Sequence, residues 1–229
     1  MTSMLNAEER IMSLVASMPP QAAETVSKAI RGRAWSNGEK GIEGLLLGVK
    51  YRFSVGLARS STVDDPLKRE EDVARLLNYL ANAIERALTK GLVTYEGKLI
   101  GLTALPGGHT ARLYEKKTID FIAVEMEDAE VSDVEKAAEL MGGKVVQHLN
   151  ADWAFEVSPF DGIRIRIALW RGEEDIPSGA VVLVGEEVKE LDIPIEELLT
   201  IMEMTINRFV LFYRKVSGRQ HKMFHSLYF

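Results

Sequence analysis

Four groups of residues have the types and spacing that site chemistry asks for. Arg164, Arg166 and Trp170 stand at even spacing in Gly-Ile-Arg-Ile-Arg-Ile-Ala-Leu-Trp, residues 162–170, so on a strand all three leave one face. Two guanidinium groups beside an indole can grip a phosphate or carboxylate bidentately, with a ring stacked alongside. The same face also suits a solvated sheet surface laced with cross-strand ion pairs. Glu173, Glu174 and Asp175 follow in the next loop and offer oxygen ligands to magnesium or calcium. They lack the alternating ligands and central glycine of an EF-hand, and a charged loop that neutralises Arg164, Arg166 and Arg171 explains them as well. His109 follows Pro106-Gly107-Gly108, an acid–base side chain on a glycine turn. His221 and His225 are four apart, which puts both on one face of a helix, as metal ligands often are. Lys222 stands where the glutamate of a HExxH zinc site would be, so that motif is incomplete. The chain has no GxGxxG, no GxxxxGK[ST] and no GxSxG motif.

The elements that must position these residues are legible in the periodicity. Ile163, Ile165, Ile167 and Leu169 alternate with Arg164, Arg166, Ala168 and Trp170, the period-two mark of a half-buried strand. Residues 180–184 form an apolar run bounded by glycines, a second and more buried strand. Asn6 with Glu9 predicts a helix to about Ser17, closed by Pro19-Pro20, with a second helix from Pro20 to Gly32. Residues 35–38 read as loop. Residues 42–55 read as a hairpin, with Gly48 marking its turn or a bulge and Tyr51, Phe53 and Val55 on one face. Asp64-Asp65-Pro66 opens a long helix to Lys90, whose stripe is Val73, Leu76, Leu77, Leu80, Ile84 and Leu88. A hairpin around Glu96-Gly97, a helix after Gly108, a capping box at residues 132–135 and strands at 144–149 and 153–157 follow. Asp192-Ile193-Pro194 opens a last helix to about Val216, apolar almost all round and therefore buried in a core or a subunit interface.

Composition bounds the function classes. With 229 residues, 46% hydrophobic and 27% charged, the chain reads as an ordinary globular protein that buries its own core. It has no cysteine, which excludes disulfides, thiolate metal sites and cysteine nucleophiles. The net charge of −6 argues against nucleic acid as a partner. The longest uncharged segments, residues 11–23 and 99–111, are too short to span a bilayer, and Glu8 and Glu9 replace the basic start of a signal peptide. A cytoplasmic location without membrane attachment is expected.

The order of pieces resembles an uncharacterised prokaryotic family, domain of unknown function 3786. The matching pieces are Leu46-Leu47-Gly48 followed by Tyr51, then Leu76-Leu77-Asn78-Tyr79-Leu80, then Gly97 through Leu105-Pro106-Gly107-Gly108, then Gly142-Gly143. Trp170 leading to Glu174-Asp175-Ile176-Pro177-Ser178 completes the match, over roughly residues 40 to 215. The resemblance implies no activity. Some members of the family look as if they carry a cysteine-rich segment ahead of this domain; this chain has none, which puts a redox role in doubt.

The expected fold is α+β, one domain with a mainly antiparallel sheet of roughly six to eight strands and long helices packed on it. An N-terminal helical segment covers residues 1–40, the main domain 41–216, and a basic, aromatic tail 217–229. The expected function is a non-catalytic module, with no cofactor, that binds a small anionic ligand through Arg164, Arg166 and Trp170, or a partner protein. The alternatives are an enzyme built on His109 and the Glu173, Glu174 and Asp175 loop, and a structural homodimer subunit. A homo-oligomer is expected.

Overall fold

The computed structural model describes residues 2–220 and 222. The fold is α+β, with helices packed on two antiparallel sheets, one of four strands and one of five. The strands expected in one sheet therefore divide between two. Alternation shows that a strand has a buried face, but it does not name the strand's partner. Here sequence-adjacent strands pair through short turns, which antiparallel ladders allow. The chain forms two compact units: Met1–Thr94 with Pro159–Asp161, and Tyr95–Ser158 with Gly162–Phe229.

The first unit contains α1 (Thr2–Ser17), a 3-10 turn at Pro20–Ala22, α2 (Ala23–Ala29), β1 (Arg33–Asn37), β2 (Glu39–Leu46), β3 (Val49–Val55), β4 (Arg59–Asp64) and α3 (Glu70–Thr89). Its sheet runs β1-β2-β3-β4. The predicted β2–β3 hairpin is present. Leu47 and Gly48 both have positive φ, 47° and 88°, as a tight hairpin turn requires. Residues 35–37, expected as loop, belong to β1, where Trp35 pairs with Gly41. Strand β4 is unforeseen, since Arg-Ser-Ser-Thr-Val-Asp has no apolar alternation and lies exposed at the sheet edge. Helix α3 starts at Glu70, not at Asp64, because the Asp65 carboxylate first accepts the backbone N–H groups of Leu67 and Arg69 in a turn. Asn6 lies inside α1 and does not cap it. Helix α1 packs on α3 and on β2 and β3. Ile11, Val15, Val26, Ile42, Phe53, Leu80 and Ile84 are fully buried, each stabilising the unit by about 1.5–3 kcal/mol.

The second unit contains β5 (Leu99–Ile100), α4 (Arg112–Met126), α5 (Val131–Leu140), β6 (Lys144–Val145), β7 (Trp153–Phe160) up to Ser158, β8 (Ile163–Trp170), β9 (Gly179–Gly185) and α6 (Ile195–Ser217). Its sheet runs β5-β9-β8-β7-β6. The hairpin expected around Glu96-Gly97 is absent. Only Leu99–Ile100 is strand, and it pairs with β9. The capping box at residues 132–135 is unused, because Glu130 takes the cap position of α5 without a side-chain bond. Helix α6 is buried nearly all round, as its composition predicts. Phe209 of α6 stacks on Phe155 of β7 with ring centroids 3.9 Å apart, and Trp153 lies at 6.0 Å. Among the described residues no helix is long and apolar enough to cross a membrane. His221, His225, Phe224, Tyr228 and Phe229 lie outside the described residues.

Candidate functional site

Strand alternation sends Ile163, Ile165, Ile167 and Leu169 into the core and leaves Arg164, Arg166 and Trp170 half-buried on the opposite face, as predicted. Both guanidinium groups are, however, held by carboxylates of the protein itself. Arg164 Nε donates to Glu187 Oε1 at 3.0 Å and Nη2 to Glu187 Oε2 at 3.3 Å. Its Nη1 donates to Glu96 and its Nη2 also to the Gly97 carbonyl. Burial works against the charged guanidinium, but the hydrogen bond and charge of Glu187, with Glu96 and Glu156, outweigh it and raise Arg164 above the ordinary arginine range. Arg166 donates through Nε at 3.0 Å and Nη2 at 2.6 Å to Glu156 Oε2. The ion-pair reading of this face is therefore the one that the geometry favours. The acids that pair here are not Glu173, Glu174 and Asp175, which stay exposed on their loop. That loop is closed by a Glu173–Ile176 bridge, with Glu174 at φ 43°. Arg171 likewise turns to a carbonyl, that of Ala129, at 2.6 Å. Among the described residues no three histidine or acid side chains converge to hold a metal ion.

Trp170 meets His148 edge to face at 5.9 Å. His148 carried no motif in the sequence. Desolvation, then the charge of Arg166, lowers its pKa below the usual histidine value, so the ring is neutral at pH 7. His109 is exposed on the 3-10 turn Gly108–Ala111. A small hollow of about 130 Å³ lies nearby in the chain, lined by Leu105, Pro106, Val188, Ile195 and Leu198 among others, but His109 does not line it.

The four-stranded sheet presents the more open surface. In β3 the side chains of Val49, Tyr51 and Phe53 are buried, so Lys50 and Arg52 must point the other way. The registers place Arg33, Glu43, Arg52 and Thr62 across the four strands in one row, with Lys50 beside Asp64 in the next. Glu43 accepts from Arg33 at 3.1 Å and from Arg52 at 3.3 Å. The Arg52 guanidinium lies 5.3 Å from the Trp35 ring centre, a cation–π contact. The Trp35 ring lies against Gly41, where a Cβ would sit only 2.1 Å from it. Glu43, Gly44, Lys50, Tyr51, Arg52, Thr62 and Asp64 line a hollow of about 360 Å³ on this sheet. Behind it the Tyr51 hydroxyl is buried against Gly44 without a partner among the described residues, and burial pushes its pKa up. The alternation in Lys-Tyr-Arg-Phe carried the signal for Lys50 and Arg52. Trp35 was missed because its strand was read as loop.

No curated protein and no solved structure matches the chain. A family model does, over residues 25–208, which takes in the four-stranded sheet and the paired arginines of β8. With most of its length matched, the chain belongs to the family described as domain of unknown function DUF3786, as the order of its pieces suggested.

Proposed function

We propose that the chain is a non-catalytic module that takes a small anionic ligand on the open face of its four-stranded sheet. The observation that carries this reading is the hollow over β2, β3 and β4, into which Lys50, Arg52 and Thr62 bring donors. Among the described residues Lys50 has no ion-pair partner, and Arg52 uses only Nη1 on Glu43. A volume of about 360 Å³ falls at the lower end of ordinary ligand pockets, about 300–1,000 Å³. The site is solvent-exposed, so each charged contact contributes only about 0–1 kcal/mol. Three such contacts give at most about 3 kcal/mol, a dissociation constant of several millimolar or weaker. The cation pair of β8 supports this function less, because internal carboxylates already occupy it.

The test is calorimetric titration of inorganic phosphate and succinate into the wild-type chain and into the double variant Lys50→Gln with Arg52→Gln. Binding that the double variant loses, with its melting temperature kept, is the expected result. Binding that survives the double change moves the site elsewhere. No binding to the wild type by about 50 mM overturns the proposal.

A further inference from the structure

Granting that an anionic group binds this face, we infer that the ligand carrying it is a zwitterion of amino-acid size, with an ammonium as well as that carboxylate. In the hollow two cations of β3 stand between an acid of β2 and an acid of β4. Arg52 faces Glu43 across β2 and β3, and Lys50 faces Asp64 across β3 and β4. A ligand with negative charge alone would meet Lys50 and Arg52 but also two carboxylates of like charge, which weaken it. A ligand with both charges meets an opposite partner at each end. The two acids are not equivalent. Glu43 is shared between Arg33 and Arg52, whereas Asp64 has no ion pair among the described residues, although Lys50 stands opposite it in the register. Asp64 is thus the seat for the ammonium. The carboxylate goes to Lys50 and the remaining Arg52 donors, with the Thr62 hydroxyl, opposite Arg52, donating to it. The volume of about 360 Å³ holds a ligand of amino-acid size.

Three probes of matched shape separate the parts: alanine, propionate, which lacks the ammonium, and ethylamine, which lacks the carboxylate. NMR titration of the full chain should show alanine binding about threefold to fivefold tighter than either, the worth of one further exposed charge contact. Asp64→Asn should weaken alanine and slightly tighten propionate, closing the gap between the two. Circular dichroism checks that this exposed substitution leaves the fold intact. If propionate or phosphate binds as tightly as alanine, and Asp64→Asn alters neither, the zwitterion is wrong while the binding module stands. If none of the probes shifts the resonances of Lys50, Arg52 and Thr62 at about 50 mM, both readings fall.

Discussion

Arg164 and Arg52 show how burial sets what a single charged side chain is worth. The Arg164 side chain is 11% exposed and its partner Glu187 is 5% exposed, so removing the guanidinium strands a carboxylate away from water. Arg164→Ala should cost about 3–5 kcal/mol, because the unpaired buried charge is the expensive product. Arg52 is 58% exposed and shares Glu43 with Arg33, so Arg52→Ala should cost no more than about 1 kcal/mol. Urea denaturation of both variants decides the matter, and equal losses would mean that the β8 face is as wet as the β3 face. His148 adds a pH signature. Its pKa is lowered in the folded state, so below its unfolded value of 6.5 the unfolded chain binds the extra proton first. Wild-type stability should therefore fall as pH drops through 6.5 and below, and His148→Gln should flatten that part of the profile. A profile unchanged by the substitution would remove His148 from the account.

Strands and helices were legible in the sequence where one face is apolar and were missed where it is not. Strand β8 was readable because four apolar residues alternate with four others. Strand β4 carries no such contrast, and β1 is a short strand held in place by its pairing with β2. The site suffered for the same reason, since Trp35 reaches Arg52 only once β1 is a strand. Partners far along the chain were equally hidden: Glu187 and Glu96 reach Arg164 from 23 and 68 positions away. Two element-scale changes test the packing. Phe209→Ala removes the ring stacked on Phe155 in a fully buried site and should cost about 3–5 kcal/mol; a loss below about 1 kcal/mol would place this face of α6 outside the core. Gly41→Ala should lift Trp35 off the sheet, because a Cβ there and the ring claim the same space. Its mark is a red-shifted tryptophan emission that Trp35→Phe in the same background abolishes.

At the scale of the whole molecule, the first compact unit is not a continuous stretch of chain. It takes Pro159–Asp161, far beyond Thr94, as part of itself. Asp161 is the residue that ties this insertion down. Its backbone N–H donates at 2.9 Å to the carbonyl of Ala29, the buried last residue of α2. Its Oδ2 accepts the Val93 backbone N–H at 2.8 Å, where the chain leaves α3. One side chain thus satisfies a donor in a segment that has no strand partner of its own, and a half-buried amide left unsatisfied is costly. Asp161→Ala keeps the backbone bond to Ala29 but abandons Val93, and should cost about 1–3 kcal/mol. Asp161→Asn retains an acceptor oxygen at nearly the same place and should cost clearly less, since it loses only the charge assistance. Hydrogen exchange supplies a local readout: the Val93 amide should exchange faster in the alanine variant and recover much of its protection in the asparagine variant. An alanine variant within about 0.5 kcal/mol of wild type, with Val93 protection unchanged, would show that the unit holds together without this tie.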